Sequence, residues 1–179
     1  LPSSLDIHNL IDDLRILSWE AADILQNYSN KLKSLKNSKE FIKSSVDEDP
    51  VTVADIEVNN LVIKRIHEIY GGVEFEILSE ENAKIPTNQV NTNSEWLWVL
   101  DPLDGTRDFI QGTGHYAMHL ALNHMEKPYL GVVLIPEKNE LWISDSKKVW
   151  CENRQGTKFE PIFLKNKPLN EMTLVISKN

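Results

Sequence analysis

Asp101 and Asp104 stand three residues apart in Trp96-Leu-Trp-Val-Leu-Asp101-Pro102-Leu103-Asp104-Gly105-Thr106, directly after an apolar run. A near-continuous apolar run marks a strand buried on both faces, so Trp96 to Leu100 is expected to cross the interior and deliver Asp101 at its end. Pro102 lacks an N–H and has a fixed φ, which predicts that the strand ladder stops there and the chain turns. Asp104 then swings back beside Asp101, and Gly105 can take a backbone conformation that other residues avoid. Two carboxylates brought together repel unless a cation lies between them, and an all-oxygen, water-rich donor set suits Mg2+. Gly105 to Ile110 can begin a helix whose unpaired N–H groups would hold an anion next to that cation. The segment therefore reads as a divalent-metal and phosphate site. Taken alone, it is equally explained by a strand-to-helix turn with Asp104 as helix cap.

Two earlier blocks carry acids in comparable settings: Asp49-Pro-Val-Thr-Val-Ala-Asp55 and Ile77-Leu-Ser-Glu80-Glu81. By itself Asp55 is an exposed acid in the first turn of a helix, where a carboxylate is favourable. Glu80 and Glu81 could open a solvated loop, yet acids at the end of a strand over Phe75 to Leu78 repeat the arrangement before Asp101. In this order the three blocks resemble the inositol monophosphatase superfamily of lithium-sensitive, magnesium-dependent phosphatases. Within it, Asp49 to Asp55 and the continuation Gly105-Thr106-Arg107-Asp108-Phe109-Ile110 look most like the 3'(2'),5'-bisphosphate nucleotidases.

The resemblance implies a role for each matching residue. Glu80, Asp101, Asp104 and the backbone carbonyl of Leu103 match the metal ligands. Asp55 and Thr106 match the pair that orients the attacking water, with Asp55 acting through the Thr106 hydroxyl as proton acceptor. The N–H groups of Gly105 and Thr106 match the phosphate cradle. The implied cofactor is Mg2+ and the implied partner a small phosphorylated substrate, adenosine 3',5'-bisphosphate or an inositol phosphate. A non-catalytic metal- and phosphate-binding domain is the alternative of another class; it has no need of the Asp55 and Thr106 pair. Glu81 is an acidic neighbour of the metal set, and Arg107 either lies beside phosphate or pairs with Asp108. Lys43 lies near the place of a lid lysine, but its spacing to Thr52 does not match, and it receives no role.

Bulk properties narrow the partners. With 179 residues and one formal net charge of −8, the chain can build a real core and has no basic stripe for a nucleic-acid backbone. A single cysteine, Cys151, allows no intrachain disulfide and fits a reducing compartment. No apolar run approaches membrane-spanning length and the start, Leu-Pro-Ser-Ser-Leu-Asp, has no signal pattern, so a cytoplasmic location without membrane contact is expected. A homo-oligomer stays open.

The elements that must position these residues follow from periodicity. Ile7, Leu10, Ile11, Leu14, Leu17, Ala21, Ile24, Leu25, Tyr28 and Leu32 recur at helical spacing. Lys31 to Asp49 is expected to be a mobile surface loop. Thr52 can cap a second helix with the stripe Val58, Leu61, Val62, Ile66 and Ile69, ended by Gly71-Gly72. Short strands are expected at Phe75 to Leu78, Trp96 to Leu100, Tyr116 to Leu122, Tyr129 to Ile135, Leu141 to Ser144, Val149 to Glu152 and Lys158 to Leu164, with Asn82 to Glu95 a polar loop. His115 and His119 have the spacing of helical metal ligands but lie in an alternating run, which favours one face of a strand over a zinc site.

Two helices followed by a strand meander predict an α+β class with helices over a largely antiparallel sheet. The resemblance implies the first half of an α/β/α/β/α layered sugar-phosphatase fold. On that reading residues 1–168 form a metal- and phosphate-binding domain, and 169–179, with Leu174 to Ser177 as a strand, begin a truncated second one. The Trp-Asp-x-Ala-Ala segment that would supply another metal-binding Asp does not occur in the chain. Residues 1–179 alone are therefore expected to fold but to turn over substrate poorly.

Overall fold

The structure, a computed structural model, describes residues 5–34, 42–46, 49–72, 74–83 and 94–159. The expectations for Leu174 to Ser177, for the domain boundary at 168 and for the strand beyond Phe159 lie outside these residues.

Helix α1 (Ile7–Ser34) buries Leu10, Ile11, Leu14, Leu17, Ala21, Ala22, Leu25 and Leu32 along one stripe. It continues through the residues expected to begin a loop, placing Lys31 and Lys33 in its last turn, where cations oppose the negative end of the helix dipole. The loop expected up to Asp49 is also corrected at Ile42 to Val46 and at Asp49. β1 (Ile42–Val46) and β2 (Asp49–Thr52) form an antiparallel ribbon, held by backbone pairing to which the polar composition of the segment gives no clue. Lys43 lies in β1.

Helix α2 (Val53–Tyr70) opens on a capping box at Thr52 and Asp55. Its buried apolar stripe is Ala54, Val58, Val62, Ile66 and Tyr70, a strict spacing of four. Ile69 falls off that stripe and is 45% exposed, and Leu61 is half-buried, so Tyr70 closes the core at the helix end.

The remaining strands build one seven-stranded sheet in sequence order: β3 (Glu76–Ser79), β4 (Trp96–Asp104), β5 (Ala117–His124), β6 (Lys127–Ile135), β7 (Glu140–Ser144), β8 (Val149–Glu152) and β9 (Lys158–Phe159). Five of the six pairings are antiparallel; β3 and β4 run parallel. Short helices follow the first two strands, α3 (Glu80–Ala83) where a loop was expected to start, and α4 (Thr106–Gln111). The α+β class with a largely antiparallel sheet is thus as predicted.

Alternation along the strands separates the two faces. Trp98, Leu100, Met118, Leu120, Leu122, Leu130, Val132, Leu134, Leu141 and Ile143 share one buried cluster with the stripes of α1 and α2. Two struts fasten α1 to the sheet: Arg15 pairs with buried Glu152, and Lys33, Ser29 and Tyr116 converge on Glu137. Among the described residues no helix is long and apolar enough to cross a membrane.

The parallel pair matters most for the site. Register pairs Ser79 with Leu100, so the chain leaves β3 at Glu80 beside Asp101. Strand β4 does not stop at Pro102. It runs on to Asp104, and its pairing with β5 shifts from Asp101 opposite His119 to Asp104 opposite Ala117. Three steps along β4 against two along β5 leave one residue over, a bulge in which Pro102 is not asked for a ladder N–H.

Candidate active site

Four chain segments meet where β3 and β4 end: the first turn of α2 with Asp55, the start of α3 with Glu80 and Glu81, the β4 bulge with Asp101 to Asp104, and Gly105-Thr106 at the head of α4. Asp55 is 3% exposed, which removes the reading of a solvated first-turn acid. One of its oxygens is used by the cap: Oδ2 accepts from the Thr52 amide at 2.8 Å and from the Thr52 hydroxyl. The other, Oδ1, faces Thr106, whose Oγ1 is 3.4 Å away. Burial pushes the Asp55 carboxyl up to about 6, against the pull of the Thr52 donors, which favour the ionised form.

Thr106 has a second acceptor within reach. Its hydroxyl lies 3.0 Å from the carbonyl oxygen of Leu103, nearer than Asp55. A hydroxyl carries one hydrogen, so the two acceptors compete for it.

Asp101 is half-buried and its Oδ1 accepts the Leu103 N–H at 3.1 Å, which tightens the bulge. Desolvation, followed by the charges of Glu80 and Asp104, pushes its carboxyl up to about 7. Asp104 points toward solvent, 59% exposed, with His119 Nε2 3.8 Å from its Oδ2. Among the described residues no three His, Cys, Asp or Glu side chains are gathered closely enough to chelate an ion as they stand. The donor set nevertheless fits a hard divalent cation. Glu80, Asp101 and Asp104 offer only oxygens, the charges of Glu80 and Asp104 oppose ionisation of Asp101, and Asp104 is largely exposed.

Gly105 has φ 83°, and a Cβ there would lie 2.6 Å from the His115 carbonyl oxygen. The position thus excludes side chains twice, by backbone conformation and by the strand entry packed against it. Helix α4 begins at Thr106 and ends on Gly112, close to the helix expected over Gly105 to Ile110. Asp108 accepts from the Thr113 hydroxyl at 2.6 Å, with His115 Nδ1 at 3.9 Å. His115 precedes β5 while His119 lies within it, and the two contact different aspartates.

The sequence pattern described as the Inositol monophosphatase family matches residues 8–178. The chain belongs to the inositol monophosphatase family. The 3'(2'),5'-bisphosphate nucleotidase CysQ of Escherichia coli K12 is 30% identical over 143 residues, covering 80% of this chain and 54% of that protein. Among solved structures, the extragenic suppressor protein suhB of Bartonella henselae superposes with a TM-score of 0.65 at 19% identity, over 80% of this chain and 52% of that one. An IMPase from Thermotoga maritima gives 0.64 at 23% identity, over 80% and 51%. These superpositions establish the inositol monophosphatase fold for this chain, which spans about half the length of the curated relatives it matches.

Sequence reasoning missed three features of this family member's site. Thr52 was read as a cap, and its grip on one Asp55 oxygen follows from the capping-box spacing. The buried hydrogen bond from Ser79 to Asn59 has no sequence signal beyond an Asn on the apolar side of a helix. The position of His119 beside Asp104 needs the bulge register.

Proposed function

We propose that the chain carries the catalytic half-site of a Mg2+-dependent phosphomonoesterase that removes the 3'-phosphate of adenosine 3',5'-bisphosphate. The observation that carries this reading is the grouping of the Glu80 and Asp104 charges around Asp101, with the Thr106 hydroxyl of the same segment 3.4 Å from buried Asp55. The activity for which the CysQ relatives are named and the Gly105 to Phe109 continuation favour the nucleotide over an inositol ester.

On this reading Glu80, Asp101, Asp104 and the Leu103 carbonyl would hold Mg2+. When bound, the ion supplies charge neutralisation at the phosphate and a more acidic water. The chain's own groups do the rest. The Gly105 and Thr106 N–H groups stand at a helix start, where N–H groups have no intrahelical acceptor, and bind a phosphate oxygen. Thr106 Oγ1 accepts the attacking water as donor while giving its own hydrogen to Asp55 Oδ1. Asp55 holds that proton. Its elevated, near-neutral affinity for protons suits a general base, and Thr52 keeps the carboxylate from rotating away.

The test, run on the complete parent protein rather than on residues 1–179 alone, compares kcat/KM for adenosine 3',5'-bisphosphate and inositol 1-phosphate with and without Mg2+. Magnesium-dependent preference for the nucleotide is expected. Preference for the inositol ester assigns the alternative substrate, and Mg2+ binding without phosphate release from either would favour a non-catalytic binding domain.

A further inference from the structure

Ser79 and Asn59 are polar residues buried in the fold. Ser79 is the last residue of β3 and fully buried, and Asn59 is 5% exposed on the inner side of α2, one turn after Asp55. The Ser79 hydroxyl donates to Asn59 Oδ1. Each would be costly to bury alone, so the bond is one that the fold must keep closed.

Its place in the chain gives it a use. The register of β3 with β4 fixes Glu80 against Asp101, but it leaves the distance from this pair to α2 unset. The Ser79–Asn59 bond spans that gap. One end is bonded through the backbone to Glu80, and the other is four residues, one helical turn, from Asp55.

We infer that Ser79 and Asn59 are positioning residues, a strut that holds Glu80 in place for the divalent cation and in step with Asp55. The inference rests on the proposed metal-dependent reading. Groups one bond behind a metal ligand commonly change affinity about 10-fold to 100-fold when removed, although they never touch the ion.

Calorimetric titration of the chain with Mg2+, beside metal-free thermal melting, tests it. Ser79→Ala and Asn59→Leu are each expected to weaken Mg2+ binding roughly tenfold. The double variant should be no weaker than either single one, because both remove the same bond. Ser79→Thr, which keeps the hydroxyl, should restore affinity to within about threefold of the starting protein. Val62→Ala on the same helix serves as control, since it lowers the melting temperature while leaving both partners of the bond in place. Affinity unchanged in Ser79→Ala, or weakened equally by Val62→Ala, overturns the inference. If Ser79→Ala does not fold, Ser79→Thr and Asn59→Leu still decide it, the former expected to bind and the latter not. Asp101→Asn separates the two levels: its failure to weaken binding defeats the metal assignment itself, whereas its weakening with Ser79→Ala intact defeats the strut alone.

Discussion

The Thr106 hydroxyl lies 3.4 Å from Asp55 Oδ1 and 3.0 Å from the Leu103 carbonyl, so its one hydrogen is shared between the proposed base and a proposed metal ligand. Occupation of the Leu103 oxygen by a cation would turn the hydroxyl toward Asp55, the direction proton transfer needs. Thr106→Ala should therefore lower kcat by about 10²-fold with a smaller change in KM, while Thr106→Ser retains most of the rate. Steady-state kinetics on the three proteins measure this. Equal losses in kcat for the Ala and Ser variants would show that the methyl group, not the hydroxyl, matters.

Gly105 offers a sharper probe of the phosphate cradle. An alanine there meets both a left-handed backbone, costing about 1–2 kcal/mol, and the His115 carbonyl. Gly105→Ala should destabilise the chain by about 2 kcal/mol or more, read by urea unfolding. Gly72→Ala, with nothing within 4 Å of the added carbon, should change stability far less.

How much of this was legible beforehand depends on the kind of signal. The stripe of α1, the class of the fold and the end of α2 at Gly71 follow from periodicity and turn residues, and the structure has them. Asp101 and Asp104 are marked by their place after an apolar strand, whereas Asp55, by itself a first-turn acid, and Glu80 take their roles from the resemblance carried by the three ordered blocks. What periodicity could not give is register. The parallel β3–β4 pairing and the Asp101 to Asp104 bulge are non-local, and they decide that Glu80 stands by Asp101 and His119 by Asp104. Pro102 was read by its local rule as a stop, but a bulge satisfies the same rule while letting the strand continue. The β1–β2 ribbon escaped for a related reason: its residues lack the apolar alternation that marks a half-buried strand.

The β5–β6 hairpin turns through Met125 and Glu126, both at positive φ, 48° and 64°. A two-residue loop of this kind favours Asn-Gly, because side-chain bulk is strained at both positions. Replacing Met125-Glu126 with Asn-Gly should raise stability by about 0.5–1 kcal/mol. Since Met125 is 64% exposed, the exchange removes little packing. A lowered melting temperature would show that the present pair has contacts worth more than the backbone strain.

The acidic cluster also sets how metal-free stability depends on pH. Asp101 titrates near 7 and Asp55 near 6 in the folded chain, both far above the unfolded range near 4. Between those limits the folded state binds more protons than the unfolded one, so stability falls as pH rises. Without Mg2+, the melting temperature should therefore climb as pH is lowered from about 8 to about 5. Below that window the sign reverses for Glu137: burial raises its pKa, but Lys33, Ser29 and Tyr116 together hold it below its ordinary value, and protonation there loosens the α1 strut. Saturating Mg2+ should flatten the upper part of the profile, because an ion among Glu80, Asp101 and Asp104 favours their charged forms and stabilises the native state at neutral pH. Asp101→Asn should flatten it as well, in the absence of metal and without any gain on adding Mg2+. A metal-free profile that is level from pH 5 to 8 would mean that neither burial nor the neighbouring charges raise these acids in solution, and the electrostatic case for a cation beside Asp101 would fall.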